Sequence, residues 1–330
     1  MHWLEQHWYR TSALHFFLLP VSVVFRLLSG LRRMLYRNNV LKSEWLPVPV
    51  MVIGNINVGG SGKTPLTLWL AQQLLENGWH PGIISRGYGG ASSSAQAVYS
   101  TSSPDDVGDE AALMAQRKLC PVWIGRDRPA AARALLSAYP ECDVILSDDG
   151  LQHYRLQRDV EIVVIDGVRR FGNGWLLPAG PLREPVSRLK QADAIVINGG
   201  IAGPSEFAML LHGATFYNLL NPGVTAQAAD FLGQNLHAIA GIGHPERFFA
   251  HLKDLGLKVQ AHPFPDHHHF TSKDLGFTDA DAVLMTEKDA VKCSAFANEK
   301  CWVLRVDAQP DPALAQLILE RISLNGRQTA

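Results

Sequence analysis

Beyond Pro47 the chain alternates short, wholly apolar runs with stretches in which apolar residues recur at three- and four-residue spacing. Residues 48–53 read as a buried strand, followed by a glycine-rich turn and a helix over about 64–76. Further strands are expected at 82–85, 122–124, 144–147, 162–165 and 194–197, some of them separated by helices at about 109–117 and 128–138. Such alternation predicts a mainly parallel sheet with helices on both faces. Turn-rich residues near 198–204 and an irregular stretch near 221–223 mark a junction. A second series follows, with strands at 237–240, 282–285 and 302–306, a helix at 245–255 and a last helix from about Pro312. No internal repeat is visible, and the serine-rich residues 91–103 read as a mobile loop without chemistry.

The N-terminal segment has a different texture. Between Gln6 and Ser43 there is no acidic residue, whereas Arg10, Arg26, Arg32, Arg33, Arg37 and Lys42 are basic. Within it, residues 11–25 carry no formal charge and are dominated by Leu, Phe and Val. Fifteen residues fall short of the roughly 20 that span a bilayer as a helix, and Pro20 interrupts them. Arginines, rather than a small-residue cleavage site, follow the run, which argues against a secretory signal. On a helical projection Leu14, Phe17, Leu18, Val21, Phe25, Leu28 and Leu35 share one side, with Arg26, Arg33 and Arg37 opposite. This is the pattern of a helix lying in a membrane interface, cations toward anionic head groups. The same stripe also describes a helix packed on its own domain.

Composition narrows the class. The 330 residues suggest two domains, and with 47% apolar and 18% charged residues there is ample side chain for real cores. A net charge of −1 supplies no field to attract nucleic acid. Cys120, Cys142, Cys293 and Cys301 form no CxxC pair, which fits a reducing compartment better than a disulfide framework or a zinc knuckle.

The strongest local signal is Asn57-Val58-Gly59-Gly60-Ser61-Gly62-Lys63-Thr64, directly after a strand and before a helix. Glycines there let backbone N–H groups turn toward phosphate oxygens, and the helix N-terminus adds positive potential. Lys63 would reach the β- and γ-phosphates and Thr64 would ligate Mg²⁺. The usual pattern has glycine five positions before Gly62, where this chain has Asn57. A P-loop needs a second carboxylate at the end of a neighbouring strand, and the run 144–147 delivers Asp148 and Asp149 there.

Three other segments concentrate polar chemistry. Ser85-Arg86-Gly87-Tyr88-Gly89-Gly90 follows a strand, at the sheet edge where ligands bind in open α/β folds. Gly108-Asp109-Glu110 opens a helix, where acids serve either chemistry or simple capping. Residues 166–185 gather arginine, glycine and proline into a loop suited to clamping an anion, with Arg183 and Glu184 near its end. The histidines at 262, 267, 268 and 269 invite a metal reading, but successive side chains diverge and no further ligand set accompanies them. Asp266-His267 reads instead as an oriented base or a carboxylate partner.

Together these segments resemble the tetraacyldisaccharide 4'-kinase family of lipid A biosynthesis over almost the whole chain. The resemblance rests on GNINVGGSGKTP, ISRGYGG, GDEAALMA, SDDGLQHYRL, DGVRRFGNGWLLPAGPLREP, AGIGHPERFF, FPDHHHF and MTEKDAVKC. Asn57 belongs to the family's own P-loop. The resemblance implies an α/β fold with a P-loop NTPase-like core, a parallel sheet and a second, smaller α/β domain, the active site lying between the two. An N-terminal amphipathic membrane helix (1–45), the core (46–220) and a closing C-terminal domain (221–330) are the expected divisions.

It further implies transfer of the ATP γ-phosphate, with Mg²⁺, to the 4'-hydroxyl of a lipid A disaccharide precursor. The expected place is the cytoplasmic face of a Gram-negative inner membrane, with membrane lipids as neighbours and neither nucleic acid nor a protein partner. Residue by residue, the family pattern carries Lys63 and Thr64 to phosphate and Mg²⁺, and Asp148 and Asp149 to the metal. Asp109 matches the family's proposed catalytic base, His267 its partner, and Arg126 an arginine near the phosphates. Arg86, Tyr88, Glu110, Arg183 and Glu184 fall on active-site or substrate segments. A membrane-cycling regulatory ATPase is the competing reading. That class carries a lysine before the glycine pair, and here the position is Val58.

Overall fold

The computed structural model describes residues 7–9, 14–92 and 94–325. Arg10, the start of the apolar run at 11–13 and the Leu14 side chain lie outside the described residues, as does Ser93.

Two sheets organise the chain. The larger has nine strands in the order β15-β8-β7-β6-β1-β5-β2-β4-β3. Its centre is β1 (Val50–Gly54), β2 (Pro81–Ser85), β4 (Val122–Ile124), β5 (Val144–Asp148), β6 (Val160–Asp166) and β7 (Ala194–Asn198), all parallel. β1, β2, β4 and β5 are buried at every position, because helices cover both faces and leave no side for polar residues. The edges are β3 (Gln96–Val98), antiparallel to β4, and β15 (Asp307–Pro310), antiparallel to β8 (Phe207–His212). β3 lies in the serine-rich stretch expected to be only a mobile loop; Val98 is buried in the core and fixes the strand there.

The smaller sheet has six strands in the order β10-β9-β14-β13-β11-β12. β11 (Leu236–Ala240), β12 (Val259–Pro263), β13 (Ala282–Thr286) and β14 (Cys301–Leu304) are parallel. β9 (Thr215–Asn218) and β10 (Thr225–Gln227) are antiparallel additions at one edge. The expected division at residue 221 therefore differs from the topology: β9 precedes it and already belongs to the second sheet. The chain also does not end in that domain. β15 returns to the first sheet, and α8 (Pro312–Asn325) buries Leu314, Ile318 and Ile322 in the first core. Their four-residue spacing shows an apolar face, but not which sheet receives it.

The other helices are α1 (Leu14–Arg37), α2 (Lys63–Glu76), α3 (Pro104–Val107), α4 (Asp109–Gln116), α5 (Arg128–Ala138), α6 (Pro245–Asp254) and α7 (Glu287–Cys293). α1 runs through Pro20 without a break, so its 24 residues span about 36 Å rather than the interrupted fifteen expected. By length and composition alone it is able to cross a membrane. One side is tied to the first domain: Ser22 Oγ donates to the Leu176 carbonyl at 2.7 Å, Phe25 packs on the core, and Arg33 Nη1 lies 3.3 Å from Glu184 Oε2. Arg33 thus turns toward the protein body, not toward head groups as the projection suggested. Phe17, Val21 and Leu28 are exposed, joined by Phe16, Val24, Leu27 and Leu31.

Candidate active site

The loop between β1 and α2 is set by close backbone approaches. Gly62 has φ 91°, and a Cβ there would fall 2.4 Å from Asn198 Nδ2, which itself donates to the Ser61 carbonyl at 3.0 Å. Glycine is required at this point for both conformation and space. Asn55 Nδ2 braces the other side, donating to the Gly59 carbonyl (3.2 Å) and Ser61 Oγ (3.3 Å). Val58 N–H donates to the Pro181 carbonyl at 2.8 Å. Asn57 does not line the cleft; its side-chain amide donates to the Arg170 carbonyl and so binds the 166–185 loop to the P-loop. That task gives a physical reason for an amide where the usual motif has glycine.

Below this loop sit the carboxylates at the end of β5. Asp148 is fully buried, accepting from Thr64 Oγ1 (3.3 Å) and Thr67 Oγ1 (3.0 Å). Burial, reinforced by Glu110, pushes its carboxyl up to about 7 although Lys63 pulls the other way. Asp149 has φ 48° and lies between Lys63 Nζ (3.5 Å) and Arg183 Nη1 (3.6 Å). Burial acts to raise its proton affinity, but Lys63, Arg183 and Arg128 outweigh it and hold the carboxyl below the usual range. Its Oδ1 is buried and faces the Lys63 ammonium at 3.5 Å, so this oxygen is already turned toward positive charge. With the Thr64 hydroxyl and Asp148, that oxygen forms a set fitting Mg²⁺, which takes one or two carboxylates and completes its shell from phosphates and water.

The opposite wall comes from the second domain and from α4. A Cβ on Gly108 (φ 87°) would meet the Tyr88 carbonyl at 2.4 Å, so glycine lets the 86–90 segment press on the start of α4. There His267 Nδ1 lies 3.0 Å from Asp109 Oδ2, and the Tyr88 ring centroid is 5.2 Å from that of His267. Asp109 is 5% exposed and sits behind His267, which faces the cleft with Asp266 and Glu110. Burial works to raise the Asp109 carboxyl, but His267, Lys288 and Lys292 outweigh it and leave it lowered. The hydrogen bond it donates to the Asp109 carboxylate raises His267 against burial and Lys288. The two directions describe an ion pair. The other histidines diverge as expected: His268 stacks on Phe264, and His269 is exposed on Asp105's side. Among the described residues no cluster of His, Cys, Asp and Glu is able to hold a metal by itself.

All of this opens on one cleft of about 2090 Å³, lined by residues of both domains and by α1. Residues 58–64, Arg86, Tyr88, Glu110, Asp149, Arg183 and His267 line it together. Arg126 does not: it is exposed at the surface before α5, while Arg128 is buried and donates to the Asp148 carbonyl at 2.9 Å. Glu184 borders the cleft but is spent on structure, accepting from Tyr154 OH (2.5 Å) and Gln152 Nε2 (3.0 Å) and pairing with Arg33 and Arg188. Sequence reasoning missed Asn198, Arg128 and Lys288. For Lys288 a signal existed: Thr286-Glu287-Lys288-Asp289 has the capping-box spacing directly after an apolar strand, placing its lysine at a helix start on the sheet's C-terminal edge.

The arrangement is that of a phosphoryl-transfer site, with phosphate cradle, cation shelf and proton acceptor around one space. A family model for tetraacyldisaccharide-1-P 4'-kinase matches residues 14–323. A tetraacyldisaccharide 4'-kinase of Methylobacillus flagellatus is 54% identical over 321 residues, covering 97% of this chain and 96% of that protein. One of Dechloromonas aromatica is 51% identical, covering 99% of each. A crystal structure of LpxK from Aquifex aeolicus in complex with ATP superposes with TM-score 0.79 at 30% identity, covering 94% of this chain and 99% of that one. With cradle, acids and second domain matched along their whole length, the chain belongs to the tetraacyldisaccharide-1-P 4'-kinase family.

Proposed function

We propose that the chain binds ATP at residues 58–64 and transfers its γ-phosphate to the 4'-hydroxyl of a tetraacyldisaccharide 1-phosphate in the cleft between its two domains. The observation that carries this reading is the Asp109–His267 pair, formed across the domains and opening on the same cleft as Lys63. Backbone N–H groups of the loop and Lys63 hold the β- and γ-phosphates, and Arg183 adds charge beside Asp149. Thr64, Asp148 and Asp149 would hold Mg²⁺, which neutralises charge on the β- and γ-phosphate oxygens when bound.

The sugar oxygen forms a bond to the γ-phosphorus as the bridging P–O bond breaks and ADP leaves. Its proton passes to the Asp109–His267 pair, whose imidazole faces the cleft and whose carboxylate is held as an anion behind it. Such proton transfer contributes about 10²–10⁴-fold, while positioning and charge supply most of the remainder. Arg86 and Tyr88 edge the acceptor side, and Glu110 supports the α4 turn.

Substrate acyl chains remain in lipid, and the exposed apolar side of α1 beside the cleft supports docking on a bilayer. Ser22 and Arg33 hold α1 on the protein body, which favours lying on the membrane over crossing it. We assign the site to the cytoplasmic face of the inner membrane, where ATP is available.

Incubation with γ-labelled ATP and the disaccharide lipid in detergent micelles tests the reaction. Label in the lipid is expected; ATP loss with none in the lipid would favour the regulatory ATPase. Asp109→Ala, His267→Ala and the double variant test the pair, with non-additive losses in kcat/KM expected of residues acting as a unit.

A further inference from the structure

The domain interface holds a cation that neither the phosphate cradle nor the metal shelf engages. Lys288, in the first turn of α7, has its Nζ 3.2 Å from Asp266 Oδ1, 3.7 Å from Asp109 Oδ2 and 3.7 Å from Glu110 Oε1. Asp109 and Glu110 belong to the first domain, Asp266 and Lys288 to the second. His267 closes the figure, with Nδ1 3.0 Å from Asp109 Oδ2 and Nε2 3.8 Å from Asp266 Oδ2. Lys288, Asp266, His267 and Asp109 thus form a ring of alternating charge across the interface.

We propose that Lys288 is a positioning residue for phosphoryl transfer: it draws α4 against the loop carrying Asp266 and His267, and holds Asp109 as an anion turned toward His267. The proposal rests on reading Asp109 and His267 as the proton-accepting pair. The three carboxylates gathered around Lys288 repel one another, and without its countercharge a proton is driven onto one of them. Asp109 is faced by His267 and Asp266 from the loop after β12, by Lys288 and Lys292 from α7, and by Glu110 from its own helix. Asp105 and Asp106 of α3 and Arg86 of the 86–90 segment lie on neighbouring elements, and β3 and β4 bring no charged side chain. Lys292 is committed to Asp289 at 2.8 Å, and Lys63 to Asp149 at 3.5 Å. Besides His267 itself, Lys288 is therefore the cation at contact range.

Burial acts against its ammonium, yet Glu110, Asp109 and Asp266 hold its proton affinity above the ordinary lysine value. The reciprocal effect lowers the proton affinity of both Asp109 and His267. Removing the positive charge moves both titrations toward higher pH.

The test is kcat/KM for the lipid against pH, with ATP saturating, for full-length wild type, Lys288→Met and Lys288→Arg. The methionine variant is expected to lose about tenfold or more in kcat at neutral pH and to shift the acid limb upward by about one pH unit, the lower end for loss of an adjacent opposite charge. The arginine variant is expected to keep the acid limb. A folded Lys288→Met whose limb coincides with wild type overturns the proposal, whatever its effect on KM. Should methionine prevent folding, Lys288→Gln replaces it, and an arginine variant that folds but displaces the limb upward overturns the proposal equally. Asp109→Asn separates this from the parent reading. Near-wild-type activity there removes Asp109 as the base, whereas an inactive Asp109→Asn with an unmoved Lys288→Met profile overturns only the role of Lys288.

Discussion

Lys63 Nζ lies 3.5 Å from Asp149 Oδ1, so the P-loop lysine and the acid at the end of β5 are already joined across the floor of the cleft. Arg183 approaches the other oxygen of the same carboxylate at 3.6 Å, so Asp149 stays an anion despite its burial. Lys63→Ala is expected to lower kcat by about a hundredfold or more, the scale of losing one preorganised charge at a transition state, while the protein stays folded. Asp149→Asn keeps the shape of the side chain and is expected to raise the Mg²⁺ concentration that gives half-maximal rate. Wild-type turnover of Lys63→Ala at saturating ATP and Mg²⁺ would sink the assignment of this loop to phosphate.

Gly62 makes a stability prediction. Alanine there would adopt φ 91° and place its methyl 2.4 Å from Asn198 Nδ2, forcing that amide off the Ser61 carbonyl. A cost of about 1–3 kcal/mol is expected for a side chain held in that backbone region. Thermal melting with and without ATP reads both parts, a lower Tm and a smaller nucleotide-dependent rise. Asn198→Ala in the Gly62→Ala background is expected to recover part of the packing loss but none of the backbone strain.

The central strands were legible because a strand covered on both faces is an unbroken apolar run, as at 144–146. The phosphate loop was legible because its spacing is itself the chemistry. Asp109 and His267 were reached through the family's motifs: one reads equally as a helix cap, and the partner sits in another domain. What pattern alone does not carry is pairing. Asp307–Pro310 does not read as a strand at all, Pro312–Asn325 reads like any helix, and nothing local says that they return to the first sheet. Arg126 and Arg128 are two residues apart, yet Asp127 caps α5 between them, leaving one at the surface and the other buried under Asp148. Lys288 stands where a solvated helix residue is the ordinary reading, and only the approach of α4 converts it to an interface cation.

The exposed side of α1 gives a membrane prediction. Phe16 and Phe17 are 76% and 79% exposed, and Leu27 and Leu28 are 66% and 62% exposed, all on a helix anchored from its other side. Phe17→Asp with Leu28→Asp is expected to weaken binding to anionic vesicles strongly, while leaving Tm within about a degree, because neither side chain is buried in the protein. Added salt is expected to weaken wild-type binding through Arg26, Arg32 and Arg37. Unchanged vesicle binding by the double variant would move the docking surface elsewhere.

The Asp109–His267 pair also predicts how stability depends on pH. Asp109 has a lowered proton affinity in the folded protein, so its contribution is present above its unfolded value near 3.8 and is lost as pH falls through the folded one. His267 has a raised affinity, so its contribution is full below its unfolded value near 6.5 and is lost as pH rises through the folded one. The two windows overlap between about pH 4 and 6.5, where both partners are charged. The stability lost in His267→Gln, read from urea midpoints, is therefore expected to be largest near pH 5 and to shrink both above pH 8 and below pH 3. His267 is one-third exposed, so solvent screening keeps the effect modest and added salt reduces it. The same variant measured in an Asp109→Asn background is expected to lose most of that bell shape, because the imidazole then meets only the more distant Asp266, at 3.8 Å. A difference between wild type and His267→Gln that is flat across this range would mean the two side chains are neighbours without being an ion pair, and Asp109 would owe its charge to Lys288 and Lys292.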